Sequence, residues 1–202
     1  MNTLIELVGV NQELLIYLAI DITIAIALLG AMRFLLGLTS KVNTTEELAH
    51  KDNFAFGVSV AGSILALGIV LTGAITGENA PSYLMEIIGM LAYGTYGLVL
   101  IKVGRIVQDK IALQHLNKTE LIKEQNLSIG IIDAAGAIAT AIIIRSVLLW
   151  VDGLSIATFI AITSGFIVAQ AVLVLVTRIR EGKYAKNNQE DCLQEALSEG
   201  QL

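Results

Sequence analysis

Residues 127–150 read LSIGIIDAAGAIATAIIIRSVLLW, an apolar run whose charged residues are Asp133 and Arg145. About 20 helical residues cross the hydrocarbon core of a bilayer, which is about 30 Å thick. Four further apolar runs of similar length occupy residues 14–38, 54–77, 83–101 and 154–177. The sequence therefore predicts an all-α fold, a polytopic transmembrane helical bundle with five spans.

The composition agrees with this fold class. Of the 202 residues, 55% are hydrophobic and 15% are charged, and the apolar runs leave no stretch for a soluble domain. The single proline, Pro81, lies in a link between two spans, so we expect no span to be broken by proline. A net charge of −5 disfavours nucleic acid as a partner and leaves the lipid bilayer as the expected surroundings.

Lysine and arginine residues predict the orientation. Eleven of the 13 lie in residues 39–53, 102–126 and 178–202, and the other two, Arg33 and Arg145, lie inside apolar runs. The segments at the opposite ends of the spans, residues 1–13, 78–82 and 151–153, contain none. Because positively charged loops stay in the cytoplasm, we expect a multi-pass protein of the bacterial inner membrane with its N-terminus outside and its C-terminus inside. No basic residue precedes Arg33, so we expect no cleaved signal peptide. Cys192 has no second cysteine with which to form a disulfide.

The starts of two spans resemble each other. Residues 52–57 read DNFAFG and residues 125–130 read QNLSIG, which share the spacing Asn53-x-x-x-Gly57 and Asn126-x-x-x-Gly130. We interpret the chain as two-helix hairpins repeated in parallel orientation. The first repeat covers residues 1–77 and the second covers residues 78–150. Residues 151–202 hold the fifth span and an acidic tail, which form either an incomplete third repeat or a natural end to a five-span protein.

This repeat resembles a known family. A two-helix unit whose second helix begins at Asn53 or Asn126 and continues through Gly57 or Gly130 is similar to the domain of unknown function 350 family, which includes the YjfL-like bacterial inner-membrane proteins. The resemblance covers residues 14–177. It implies four or eight spans, from which the five found here depart, and it implies no activity that can be assigned to a residue.

Asn53 and Asn126 have two interpretations. Asparagine is a good helix cap, because its side chain accepts hydrogen bonds from the first unpaired amides. The same position at a helix N-terminus also favours anions, so a ligand site is the alternative. Glycine and alanine residues follow in both helices at three- and four-residue spacing, which favours close helix packing in lipid over a substrate path. We expect these two helices to form the centre of the bundle.

Five ionisable residues fall within the spans, and we treat them as a candidate intramembrane charge network: Asp21, Arg33, Glu86, Asp133 and Arg145. At about 1.5 Å of rise per residue, Arg33 and Asp133 lie about 8 and 9 Å from the inner ends of their spans, so they are expected to be able to meet. Arg145 lies about 8 Å from the outer end, near the depth of both Asp21 and Glu86. These groups form either interhelical ion pairs that fix packing or a path for protons or cations.

No known catalytic motif is present. His50 and His115 lie in charged segments without metal-ligand spacing, so we expect no metal site, no cofactor and no enzymatic activity. We therefore expect an integral inner-membrane protein that acts as a structural or partner-binding subunit, in a homo-oligomer or with another membrane protein. The alternative is a small ion or proton channel or transporter that uses the intramembrane acids.

Overall fold

The computed structural model describes residues 12–40, 44–75, 81–112, 118–151 and 153–187. In these ranges the chain forms seven α-helices and one short π-helical segment. In chain order they are α1 (Gln12–Ser40), α2 (Thr44–Ala49), α3 (Phe54–Ile75), α4 (Tyr83–Val107), the π segment (Gln108–Ala112), α5 (Lys118–Lys123), α6 (Leu127–Leu148) and α7 (Ile156–Asn187). The predicted all-α fold is confirmed.

Five of these helices, α1, α3, α4, α6 and α7, are long and apolar enough to cross a membrane. The five predicted spans are therefore confirmed, but the third is longer than predicted. Its apolar stretch extends from Tyr83 to Ile111, whereas the sequence interpretation ended the span at residue 101. The helix continues past Lys102 because the lysine side chain is exposed, whereas Ile101 and Gly104 beside it are buried in the bundle.

Helices α3 and α6 pack against each other more extensively than any other pair in the described part of the chain. A Cβ atom added to Gly62 of α3 would overlap the Cβ atom of Ala134 in α6. A Cβ atom added to Gly130 of α6 would overlap the carbonyl oxygen of Ala55 in α3. The two backbones are therefore in contact, and the expected central position of these helices is confirmed.

The other spans surround this pair. Helix α1 packs on α3 and α4, while α7 packs on α6 and the π segment. In its most apolar stretch, α1 buries 11% of its residues, compared with 56% for α3. Its exposed apolar side chains include Ile26 and Phe34, as expected for surfaces that face lipid.

Several sequence predictions concern residues outside the described ranges. They include the N-terminal segment, His115, the acidic tail after residue 187 and Cys192. The segment from residue 151, interpreted as either an incomplete third repeat or the natural end of a five-span protein, is therefore described only as far as the end of α7.

The contact at Gly62 makes a direct prediction about stability. We expect Gly62→Val to lower the thermal unfolding midpoint in detergent, because the added side chain overlaps Ala134, and overpacking of this kind typically costs about 1–3 kcal/mol. Gly68→Val is the matched control in the same helix, since a Cβ atom at Gly68 meets nothing within 4 Å. Equal midpoints for the two variants would contradict the close packing.

Candidate functional site

The carboxylate of Asp133 lies at the centre of a buried polar cluster, in the half of the bundle where α3 and α6 begin. Its side chain is completely buried in α6. The ammonium Nζ of Lys118 lies 2.6 Å from Oδ1, and Nη2 of Arg105 lies 2.5 Å from Oδ2. The hydroxyl of Ser59 also donates to Oδ2. Both carboxylate oxygens therefore have charged partners inside the protein.

Arg105 also binds α3. Its Nη1 donates to Oγ of Ser63 and its Nη2 to Oγ of Ser59, each at 3.0 Å. The Ser63 hydroxyl in turn donates to the backbone oxygen of Ser59 at 2.9 Å. Since Arg105 stands in the last turn of α4, its guanidinium joins the end of α4 to the first half of α3 and to α6.

Lys118 forms a second ion pair with Asp109 of the π segment. The cluster consequently holds two carboxylates, from Asp109 and Asp133, and two cations, from Arg105 and Lys118. Formal charge is balanced, which matters because an unpaired buried ion costs several kcal/mol. The geometry is suited to holding helices together, since residues from five elements contribute to one neutral cluster.

The sequence interpretation placed Asp133 in the network but expected Arg33 to be its partner. Arg33 is exposed on α1, and Asp133 is held by Arg105 and Lys118 instead. The expectation failed because residues 102–126 were interpreted as a cytoplasmic connection, either an amphipathic extension of the third helix or a solvated loop. In the structure α4 continues past residue 101, and α5 returns to the bundle. The apolar residues Ile106 and Val107, which continue the helix beyond Lys102, are the sequence signal for this longer helix.

The three charged residues predicted near the outer ends of the spans, Asp21, Glu86 and Arg145, are arranged differently from the expectation. Nε of Arg145 donates to Oγ1 of Thr72 at 3.0 Å. Asp21 is buried, with 5% of its surface exposed, and its carboxyl group interacts with that of Glu86. The Oδ1 atom of Asp21 has no hydrogen-bond partner within the described ranges. Asp21 therefore comes together with Glu86, and among the described residues it forms no ion pair with Arg145.

Asn53 and Asn126 both bind the first turn of the following helix. Oδ1 of Asn53 accepts a hydrogen bond from the amide of Phe56 at 2.9 Å, and Oδ1 of Asn126 accepts from the amide of Ile129 at 3.3 Å. Nδ2 of Asn53 donates to Glu47 and to the carbonyl of Ile122, both at 2.9 Å. Asn53 thus caps α3 and links it to both short helices, α2 and α5.

The starts of α3 and α6 share a backbone feature. The residues before the asparagines, Asp52 and Gln125, have positive φ angles of 48° and 64°. Gln125 also donates through Nε2 to the carbonyl of Lys51 at 3.1 Å, so the segments that lead into the two helices touch. The glycines of the motif differ, because a Cβ atom at Gly57 would lie 3.4 Å from Leu48, an ordinary contact, whereas Gly130 has no room for one.

Glu47 of α2 is a titratable group outside the spans. Hydrogen bonds from the Asn53 amide and the Lys51 ammonium hold the pKa of its carboxyl below the ordinary value of 4.5. A carboxyl with a lowered pKa stabilises the folded protein above its ordinary pKa, and this contribution is lost as pH falls through the lower, folded-state pKa. The α2–α3 junction is therefore stabilised at neutral pH by an ionised Glu47.

We expect the unfolding midpoint of the wild type to fall as pH decreases below about 4.5 and that of Glu47→Gln to fall less over the same range, because the variant has lost the titrating group. Thermal unfolding in detergent between pH 7 and pH 3 measures the difference. Glu46→Gln is the control, since the Glu46 side chain is 56% exposed. Parallel pH curves for wild type and Glu47→Gln would contradict the assignment.

Comparison with known proteins places the chain in a family. The sequence pattern of the family described as Domain of Unknown Function (DUF350) matches residues 9–148 and again residues 82–193. A UPF0719 transmembrane protein of Aquifex aeolicus (strain VF5) is 27% identical over 133 residues, which are 66% of this chain and 49% of that protein. The chain thus spans about half the length of this relative. No solved structure matches. The chain belongs to the DUF350 family of membrane proteins.

Proposed function

We propose that this protein is a structural or partner-binding subunit of the bacterial inner membrane and not an enzyme. The observation that carries the proposal is the state of the Asp133 carboxylate. Lys118 and Arg105 occupy its two oxygens at 2.6 and 2.5 Å, within the protein interior. A carboxylate in a transport path has to exchange its partner for a proton or cation, whereas this one is held by two fixed cations.

The neutral cluster also supports a role in packing. Breaking a buried ion pair by removing one partner typically costs about 3–5 kcal/mol, because the other charge is left unpaired. The cluster therefore stabilises one arrangement of α3, α4, α5 and α6 over alternatives. A rigid membrane scaffold fits this property better than a path that has to open and close.

The proposed architecture is a set of two-helix hairpins repeated in parallel orientation, covering residues 1–77 and 78–150 with a third unit from 151 to 202. The matching starts of α3 and α6 support it, since Asp52 and Gln125 share positive φ angles and are each followed by a capping asparagine. The hydrogen bond from Gln125 to Lys51 brings these helix starts side by side at one face of the bundle. The proposed orientation puts this face in the cytoplasm, with the N-terminus of the chain outside.

The exposed face of α1 supports association with a second copy or another membrane protein. Small side chains of this helix are exposed at three- and four-residue spacing, at Ala19, Thr23, Ala27 and Gly30. A Cβ atom at Gly30 would meet nothing within 4 Å. Such spacing allows a neighbouring helix to approach closely in lipid, where the hydrophobic effect does not drive helices together.

A small proton or cation channel or transporter is the second candidate. One observation favours it, the contact between Asp21 and Glu86 near the predicted outer end of the spans. Asp21 is 5% exposed, and it forms no ion pair with the lysines and arginines that the structure describes. Ionisable side chains within spans often mark ion or proton pathways.

Flux into liposomes distinguishes the two candidates. We expect wild-type protein to conduct protons and monovalent cations no faster than protein-free liposomes, because the carboxylate at Asp133 is neutralised within the bundle. Asp21→Asn and Asp133→Asn are compared at matched folded yield, with Glu120→Gln, an exposed acid of α5, as the control. Flux by the wild type that Asp21→Asn abolishes in a folded protein would reject the structural role and establish the channel.

A further inference from the structure

Polar side chains between α4, α6 and α7 lie deep in the bundle. Gln170 of α7 is 5% exposed, and its Nε2 donates to Oγ1 of Thr140 in α6 at 2.8 Å. The Thr140 hydroxyl donates to the carbonyl oxygen of Gly136 at 2.9 Å. The apolar span of α7 ends at Arg180, which places Gln170 about 15 Å from that end and near the middle of the hydrocarbon core.

The carbonyl oxygen of the Gln170 side chain, Oε1, has no hydrogen-bond donor among the described residues. The orientation of the amide is fixed by its neighbour. Because the Thr140 hydroxyl gives its hydrogen to Gly136, Thr140 can only accept from Gln170, and the amide nitrogen has to face it. A buried acceptor of this kind is normally satisfied by protein or by ordered water.

A second carboxamide, that of Gln108, packs against the same stretch of α6. The side chain of Gln108, the first residue of the π segment, packs against Gly136, where an added Cβ atom would overlap its Oε1. The side chain of Gln170 packs against Gly104 of α4, where an added Cβ atom would lie 2.9 Å from Nε2. Gly136 and Gly104 thus provide the space that the two carboxamides fill. Gln108 also lies in a π-helical turn, and such turns often mark functional positions.

These amides continue the charged cluster into the membrane. Gln108 is followed by Asp109, which pairs with Lys118, and the same ammonium binds Asp133. Asp133 precedes Gly136 on α6 by less than one helical turn. Polar side chains therefore occur at successive levels of the bundle from Lys118 to Gln170. Beyond Gln170 toward the other end of the spans, Ile144 and Phe166 are buried, and polar groups resume at Thr163, which shares a hydrogen bond with Tyr96.

We infer that a water molecule is bound beside Gln170 and donates a hydrogen bond to its Oε1. A buried water normally makes two to four hydrogen bonds, and the Gln108 carboxamide, which packs against Gly136 one helical turn from Thr140, is the neighbouring polar group. The bound water lies at the depth of Gln170, near the middle of the hydrocarbon core. This site is independent of the proposed subunit role, since it rests on contacts among α4, the π segment, α6 and α7.

Water-edited solid-state NMR of the labelled protein in liposomes tests the site. We expect magnetisation from water to reach the side-chain amide of Gln170 and the Thr140 signals much faster than the buried Ile144, one turn further along α6. Transfer to Gln170 that is no faster than transfer to Ile144 would overturn the inference, because both would then be dry.

The variant Gln170→Met tests whether Gln170 is the residue that binds the water. We expect water transfer to Thr140 to fall to the level of Ile144 in this variant, since methionine fills a similar volume without an acceptor oxygen of comparable strength. Gln125→Met makes the same change at an exposed glutamine and should leave the Thr140 signal unaltered. Transfer to Thr140 that persists at the wild-type rate in folded Gln170→Met would show that Gln170 does not bind the water, and would overturn the proposal.

Discussion

The need to neutralise the Asp133 carboxylate determines how the half of this bundle that contains the starts of α3 and α6 is built. An ionised carboxylate away from water is costly unless charged partners and hydrogen bonds surround it. Here one partner, Arg105, comes from an extension of α4 beyond the predicted span, and the other, Lys118, comes from the short helix α5 that returns to the bundle. One side chain of α6 thereby fixes the end of α4, the position of α5 and the rotation of α3.

Close packing of the central helices makes that cluster possible. Ser59 and Ser63 are one turn apart on α3, and Gly62 stands beside them, so the face that touches α6 also carries the hydroxyl groups. A larger residue at Gly62 would move Ser59 away from Asp133. Small residues therefore serve both contact between backbones and hydrogen bonding to the ion pair, a combination suited to lipid, where helices gain little from the hydrophobic effect.

Much of the fold could be predicted from the sequence, because long apolar runs have few alternatives to membrane-spanning helices. Asp133 was also identified, since a carboxylate within an apolar run is conspicuous. Its partners were not, because the depth of a residue along its helix does not give its rotation or its neighbours. Arg33 was at a suitable depth but lies exposed on a peripheral helix, and Lys118 was assigned to a cytoplasmic connection. The identity of the ion-pair partners of Asp133 depends on how the connection between two spans folds. The hydrophobic periodicity of the sequence gives no information about that.

A double-mutant cycle on Asp133 and Lys118 tests the central claim most directly. The free energy of unfolding is measured in detergent for the wild type, Asp133→Asn, Lys118→Met and the double variant. If the ion pair organises the half of the bundle where α3 and α6 begin, each single variant loses about 3–5 kcal/mol. The double variant then loses at least about 1 kcal/mol less than the sum of the single losses. Losses that add to within about 0.5 kcal/mol would show that the two groups act independently and would contradict the account.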